Sequence, residues 1–151
     1  MKYYSLNQQS PKVSFKEATI KGQAPDKGLY FPESLPRPDK SWITGINGMS
    51  NAAIAFDVIQ PYVGNDIPED ELRRIVEETV NFPSPLVQVN DHIFALELFH
   101  GPTLAFKDTG ARFMSRCLGY FAKERSEKIT VLVATSGDTG GAVANGFSGV
   151  P

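Results

Sequence analysis

The pattern of hydrophobic and polar positions divides the chain into an irregular first part and a periodic remainder. Residues 1 to about 45 are rich in Gly, Pro and aromatic residues, with turn signals in "KGQAPDKG" and "PESLPRPDK". Such clusters of turn residues interrupt regular structure. This part therefore predicts short strands, one short helix near "SFKEATIKG", and much loop.

From Asn51 the spacing of apolar residues becomes helical. Pro61 lies inside this first pattern, and we expect it to kink or end the helix because proline lacks the amide donor. A second helix is predicted in "DIPEDELRRIVEETVNF", where Pro68 and three acidic residues occupy the first turn, which favours negative charge. Its apolar stripe contains Leu72, Ile75, Val76, Thr79 and Val80.

The second half of the chain alternates strand and helix patterns. "PLVQV" and "HIFALELF" are typical of strands, with "ND" between them as a two-residue turn. A helix follows these strands; it begins near Asp108 or Thr109, either of which can cap it. "KITVLVAT" predicts a buried strand of a parallel sheet, and "SGDTGGAVANGF" turns into a last helix. The helix before that strand has its predicted apolar face at Phe113, Met114, Cys117, Leu118 and Phe121. This order indicates α/β architecture from His92 onward.

Composition excludes several classes of protein. The 151 residues are 41% hydrophobic and 21% charged, as in ordinary globular proteins, and the net charge of −2 gives no basic surface for nucleic acid. No apolar run approaches the roughly 18 residues that span a bilayer, and "MKYYSLNQQS" lacks the apolar core of a signal peptide. A single cysteine favours a reducing cytoplasm, and with only two histidines it argues against a zinc site.

The stretch "ATSGDTGGAVA", residues 134–144, admits three kinds of chemistry. A serine-protease loop would need Thr139 as the nucleophile, and it would not lie between an apolar strand and a helix. An aspartic-protease dyad would pair Asp138 with Asp108, which begins a second Asp-Thr-Gly. The flanks of the two tripeptides differ, however, and Lys107 would keep the Asp108 carboxylate ionised and oppose proton sharing. Both protease interpretations are rejected.

The third interpretation is an anion site at a helix N-terminus. Backbone N–H groups of Ser136, Gly137, Asp138, Thr139 and Gly140 would be available there, and glycines would let a ligand approach the backbone. The alternative is an ordinary helix start with Ser136 or Asp138 as the N-cap. The local sequence does not decide between them.

Lys107 bears on this choice because it lies among Leu104, Ala105 and Phe106 at a helix entrance. A partly desolvated lysine at the positive end of a helix has its charged form disfavoured, so its amine becomes a nucleophile for an aldehyde. The alternative is a surface lysine paired with Asp108 or Glu97. A reactive lysine together with an anion loop after the next strand suggests a pyridoxal-phosphate site.

Two unusual strings carry a resemblance to a known family. "LELFHGPTLAFKDTGARFM" and "VLVATSGDTGGAVA" resemble the threonine synthases, which are fold type II pyridoxal-phosphate enzymes of the tryptophan-synthase-β-like family. "MKYYSLN", "VSFKEATIKG", "GLYFPESLP" and "PEDELRRIV" resemble the same family's N-terminal region, so the resemblance covers nearly the whole chain.

The resemblance implies the fold and the reaction. It implies a small α+β N-terminal region at residues 1–90 and an incomplete parallel-sheet α/β domain from residue 91 to 151. The implied reaction converts O-phospho-L-homoserine and water to L-threonine and phosphate by γ-elimination and β-addition. The alternatives are another fold type II lyase, such as a serine/threonine dehydratase, and a non-catalytic metabolite-binding relative.

The resemblance also implies the site residues. Lys107 would hold pyridoxal 5′-phosphate covalently as a Schiff base and shuttle protons, and residues 136–140 would bind the substrate α-carboxylate. Asp138 replaces an asparagine that many relatives place near the 3′-hydroxyl of the ring. The family's cofactor-phosphate loop and the residue facing the pyridine nitrogen lie in its second half. We therefore expect this chain to be an N-terminal part whose partner is the missing C-terminal part of the same enzyme, and to be inactive alone.

Four other side chains also have a predicted role. His100 could contact a substrate phosphate, although a role in capping the turn is favoured. Arg112 and Arg116 could also recognise phosphate, but their spacing of one helical turn suits a solvated face. Cys117, on the apolar stripe, is predicted to be a core thiol.

Overall fold

The computed structural model describes residues 1–123 and 129–150, which divide into two compact units. The first unit is Met1–Val76 and the second is Glu77–Pro151. Within the described part of the chain, no helix combines the length and apolarity needed to cross a membrane.

Short helices with side-chain caps surround a two-stranded sheet in the first unit. Strand β1 (Tyr3–Ser5) pairs antiparallel with β2 (Tyr30–Pro32). Ser14 caps helix α1 (Phe15–Lys21) and forms a reciprocal capping box with Glu17. Asp39 and Ser50 accept hydrogen bonds from the first turns of the next two helices, α2 (Lys40–Gly45) and α3 (Asn51–Val63).

Helix α4 (Glu69–Thr79) supplies much of the core of the first unit. Leu72 and Ile75 are fully buried, and Val76 and Thr79 are nearly so, which confirms most of the predicted stripe. Each fully buried aliphatic side chain contributes about 1.5–3 kcal/mol relative to exposure. The acidic first turn stabilises the N-terminal end of the helix electrostatically.

Pro61 does not end helix α3, contrary to the prediction. The helix continues through it to Val63, where the N–H of Gly64 donates to the carbonyl of Gln60. A proline in the last turn removes one hydrogen bond but leaves few turns to disrupt. The prediction of a helix end was wrong because proline's effect depends on its distance from the helix end.

A hairpin opens the second unit. Strand β3 (Leu86–Asn90) pairs antiparallel with β4 (Ile93–Leu96), with an irregularity between Gln88 and Asn90. The side-chain oxygen of Asn90 accepts hydrogen bonds from the N–H groups of His92 and Ile93. The turn is therefore Asp91–His92, one residue later than predicted, because the Asn90 side chain substitutes for a backbone acceptor.

Helices α5 (Lys107–Ala122) and α6 (Asp138–Phe147) pack together in the second unit. A β-carbon at Gly146 would lie 3.0 Å from the carbonyl oxygen of Ala111, so glycine permits this close contact. The buried face of α5 includes Cys117, Leu118 and Phe121 as predicted. Met114 was also predicted on this face but is 41% exposed.

The predicted strand "KITVLVAT" is not formed in the described residues 129–135; Lys128 lies outside the described range. Leu132 is 91% exposed instead of buried. A parallel strand exists only when a neighbouring strand accepts its hydrogen bonds. In the described part of the second unit, β3 and β4 pair with each other and leave no strand for it.

Candidate functional site

The start of helix α5 is organised by Asp108, which is 1% exposed. Its carboxylate accepts hydrogen bonds from the backbone N–H of Thr103 at 2.9 Å and from the Thr103 hydroxyl at 2.6 Å. The predicted role of Asp108 as helix cap is wrong, because the helix begins at Lys107 and Phe106 occupies the cap position without a side-chain hydrogen bond. Asp108 instead fixes the loop that precedes the helix.

Two backbone features of this loop depend on the same carboxylate. A β-carbon at Gly101 would collide with the Asp108 side chain, so this position has room only for glycine. Leu104 has a φ of 58°, a conformation that non-glycine residues seldom adopt. Tertiary bonds to Asp108 hold this strained turn directly before Lys107, and strain of this kind is concentrated at functional sites.

Lys107 is half-buried, and no carboxylate in the described part of the chain pairs with its amine. Its Nζ lies 5.0 Å from the ring centroid of Phe106. Among the described residues it makes no hydrogen bond or ion pair: Asp108 bonds Thr103, and Glu97 pairs with His100 at 2.7 Å. The alternative of a surface pair with Asp108 or Glu97 is therefore wrong.

His100 is engaged within its own segment. Its imidazole stacks on Phe99, with ring centroids 4.8 Å apart, and its Nε2 lies 2.7 Å from the Glu97 carboxylate. Both contacts connect neighbouring positions of the chain. They hold the segment that leads into the Gly101 loop.

The loop at residues 136–140 leads into helix α6 without a side-chain cap. The helix begins at Asp138, and Gly137 occupies the cap position with a φ of 152°, which favours glycine. Neither Ser136 nor Asp138 accepts the hydrogen bond expected of an N-cap, so the ordinary capped-helix alternative is wrong. The Gly137 N–H instead bonds the Thr135 hydroxyl at 3.2 Å.

The first turn of α6 presents amide donors that can receive an anion. The first intrahelical bond runs from the N–H of Gly141 to the carbonyl of Gly137. Within the described residues, the N–H groups of Asp138, Thr139 and Gly140 have no acceptor. A β-carbon at Gly140 would collide with the Thr135 methyl group, so the close approach of loop and helix requires glycine. Three unpaired N–H groups at a positive helix end suit a carboxylate.

The two arginines of α5 have structural contacts in place of either predicted role. Arg112 donates to the carbonyl of Glu78 and to the Asn81 side chain. Arg116 pairs with the Glu78 carboxylate at 3.1 Å and donates to the carbonyl of Gly146 near the end of α6. Burial, and then the nearby Arg116 charge, lower the pKa of Arg112. Their guanidinium groups tie α5 to its neighbours and do not form a solvated face.

Cys117 is confirmed as a core thiol. It is fully buried on α5, and burial raises its pKa to about 12. Because the thiolate is the reactive form, this thiol is not a nucleophile at neutral pH.

The residues present fit the chemistry of pyridoxal phosphate. An aldehyde needs an amine that no carboxylate neutralises, and a carboxylate ligand needs backbone donors. Lys107 and residues 136–140 would supply such groups, on two helices that pack together. No hydrogen bond among the described residues links the two groups directly. The sequence did not reveal the Asp108–Thr103 interaction, since only the tertiary fold brings the loop back onto the helix start.

Comparisons with known proteins show the family of this chain. A family model described as threonine synthase N terminus matches residues 2–80. The threonine synthase of Serratia marcescens is 40% identical over 99% of this chain and 34% of its own length. That of Escherichia coli K12 is 39% identical over 100% of this chain and 35% of its own length. The chain thus spans about a third of the length of the curated relatives it matches.

Solved structures agree with the computed one. A pyridoxal-phosphate-bound threonine synthase from Brucella melitensis matches with a TM-score of 0.94 and 40% identity, over all of this chain and 34% of its own. Yeast threonine synthase matches with a TM-score of 0.89 and 35% identity, over 99% and 33%. These neighbours confirm the predicted fold, the N-terminal portion of a fold type II enzyme. The chain belongs to the threonine synthase family, whose N-terminal region it matches at residues 2–80.

Proposed function

We propose that this protein serves a pyridoxal-phosphate-dependent lyase that converts O-phospho-L-homoserine and water to L-threonine and inorganic phosphate. Phosphate leaves the γ-carbon, and the hydroxyl group of water is added at the β-carbon. The observation that carries the proposal is the unpaired Lys107 amine, in a chain whose full length matches a cofactor-bound threonine synthase. The reducing cytoplasm remains its proposed location.

Lys107 is assigned the covalent attachment of the cofactor and the transfer of protons. Its position at the first residue of a long helix fixes the backbone from which the amine extends. When bound, pyridoxal phosphate supplies the electron sink that accepts the pair released on breaking a substrate C–H bond. The Lys107 amine, once released by substrate, carries protons between substrate carbons as a general base and acid.

We assign the loop at residues 136–140 to binding of the substrate α-carboxylate. The unpaired N–H groups in the first turn of α6 would donate to it, and the helix dipole adds to the attraction. Asp138 stands at the exposed first position of that helix. We assign its carboxylate as the partner of the 3′-oxygen of the pyridoxal ring, with which it would share a proton.

Completion of the site requires groups beyond this chain. The family's cofactor-phosphate loop is expected in the two thirds of its length that this chain does not match. Exposed apolar side chains of the second unit support the proposal that further polypeptide covers them, because large apolar side chains left in water are a feature of interaction surfaces. They are Leu86, Val89, Ile93, Phe94, Leu96 and Leu132.

The proposal is tested by adding pyridoxal phosphate to this chain together with the remaining region of a threonine synthase. We expect a visible absorption band and release of phosphate from O-phosphohomoserine, both abolished in Lys107→Ala and unchanged in the exposed control Lys2→Ala. The 151-residue chain alone should release no phosphate.

Three results would contradict parts of this assignment. Robust turnover by the isolated chain would refute the need for a partner region. A band that persists in Lys107→Ala would refute the cofactor lysine. Deamination of serine or threonine without phosphate release would identify a dehydratase and not a threonine synthase.

A further inference from the structure

A cavity of about 460 Å³ lies entirely within the first unit, away from the residues assigned to the reaction. Its walls come from the loop before α2, from α2 and α3, and from the first residue of α4. This volume is within the range of small-molecule sites. Trp42 forms part of the wall.

Aromatic rings and carboxylates both line this cavity. Trp42, Phe56 and Tyr62 supply aromatic surface, and Asp39, Asp57 and Glu69 supply three carboxylates. Against these acids, Arg37 is the single basic residue of the lining. Arg73 also pairs with Glu69, so Asp39 and Asp57 remain against Arg37, and this excess of one acid favours cations over anions such as a phosphorylated amino acid.

The two carboxylates nearest Trp42 are held in place by hydrogen bonds. Asp39 accepts from the Ser41 hydroxyl at 2.6 Å and from the Trp42 N–H at 2.8 Å, and these bonds lower its pKa. Asp57 accepts from the indole Nε1 of Trp42 at 2.8 Å. The indole ring and its neighbouring charges are thus positioned before any ligand arrives.

The chain itself shows what this wall attracts. The Arg73 guanidinium stacks over the Phe56 ring, 3.7 Å from its centroid, and pairs with Glu69 at 2.7 Å. An aromatic face combined with a carboxylate thus already binds a cation at the border of the cavity. Cation–π contacts contribute specificity for such groups, quaternary ammonium ions included.

We propose that this cavity binds a small organic cation, an ammonium group carried on an apolar body. The apolar body contacts the aromatic faces of Trp42 and Tyr62, and the positive charge lies against the carboxylates of Asp57 and Asp39. This binding site is separate from Lys107 and the loop at residues 136–140, and it does not depend on the proposed reaction.

Trp42 reports on the cavity directly because it is the chain's single tryptophan. The probe is choline, and its control is 3,3-dimethyl-1-butanol, which has the same shape without the charge. We expect saturable quenching of tryptophan fluorescence by choline and binding of the neutral alcohol at least about tenfold weaker. Calorimetry of the same titration gives a readout that does not depend on the indole.

Substitutions separate a specific site from a general charge effect. Asp57→Asn keeps the acceptor for the indole and removes the charge, so choline affinity should fall about five- to tenfold. Glu69→Gln tests a second wall of the cavity, with a smaller loss expected. The matched control Asp91→Asn changes an exposed acid of the hairpin turn and should leave affinity unchanged.

Three results would overturn the proposal. The first is an absence of saturation by choline. The second is equal binding of choline and the neutral alcohol, which would indicate an apolar cavity without charge selectivity. The third is an equal loss of affinity in Asp57→Asn and Asp91→Asn, which would reduce the effect to net charge.

Discussion

Asp26 joins three segments of the first unit through one carboxylate. It accepts hydrogen bonds from the Ser5 hydroxyl at 2.6 Å, from the N–H of Gln9 at 2.9 Å and from the N–H of Gly28 at 3.0 Å. These bonds, led by the one from Ser5, lower its pKa from 3.8 to about 2. A β-carbon at Gly28 would collide with the Ser5 hydroxyl, so this cluster is closely packed.

The lowered pKa predicts how acid affects this unit. A carboxyl whose pKa is lower in the folded state stabilises the fold above its unfolded pKa and loses that contribution as pH falls through the folded value. The contribution of Asp26 should therefore be complete above about pH 4 and disappear towards pH 2. Urea denaturation of wild type and Asp26→Asn across this range should show a stability difference that shrinks with acid. A difference independent of pH would contradict the assignment.

Helix α6 shows how one residue sets the start of an element. Gly137 has a φ of 152° and a ψ of −83°, a conformation that a β-carbon disfavours even though the surrounding space is open. Gly141, four residues later, is within the helix and also has open space around its α-carbon. The two glycines thus have different backbone requirements in similar surroundings.

This contrast predicts opposite effects of alanine. Gly137→Ala should destabilise the protein by about 1–3 kcal/mol, since it forces a non-glycine residue into a sparsely populated conformation. Gly141→Ala should stabilise it by about 0.5–1 kcal/mol, because alanine loses less backbone entropy in a helix. Chemical denaturation measures both. Equal destabilisation by the two substitutions would contradict the described start of α6.

The spacing of apolar residues along the sequence predicted helices α3, α4 and α5, whose backbone hydrogen bonds lie within each element. The stripe of α4 was predictable because Leu72 and Ile75 repeat at helical spacing on one face. Residues 129–135 were predicted wrongly, because an apolar run indicates a strand only if another strand pairs with it. The Asp108–Thr103 bonds were not predicted at all, since they depend on how a strained loop folds back.

Across the whole molecule, the two units carry different kinds of information about function. The second unit holds Lys107 and the loop at residues 136–140, which the sequence motifs identified directly. The first unit holds the aromatic and acidic cavity, whose residues come from the loop before α2 and from α2, α3 and α4, and form no sequence motif. A sequence resemblance suggested the first set, while only the folded structure brings the second set together.

The proposed function depends most on Lys107 as the lysine that attaches the cofactor. The direct measurement is borohydride reduction of the protein, assembled with the remaining region of a threonine synthase and pyridoxal phosphate, followed by peptide mass spectrometry. We expect the peptide containing Lys107 to carry the added mass of the reduced cofactor, and we expect this added mass to be lost in Lys107→Ala. Labelling of a different lysine, with Lys107 unmodified, would contradict it.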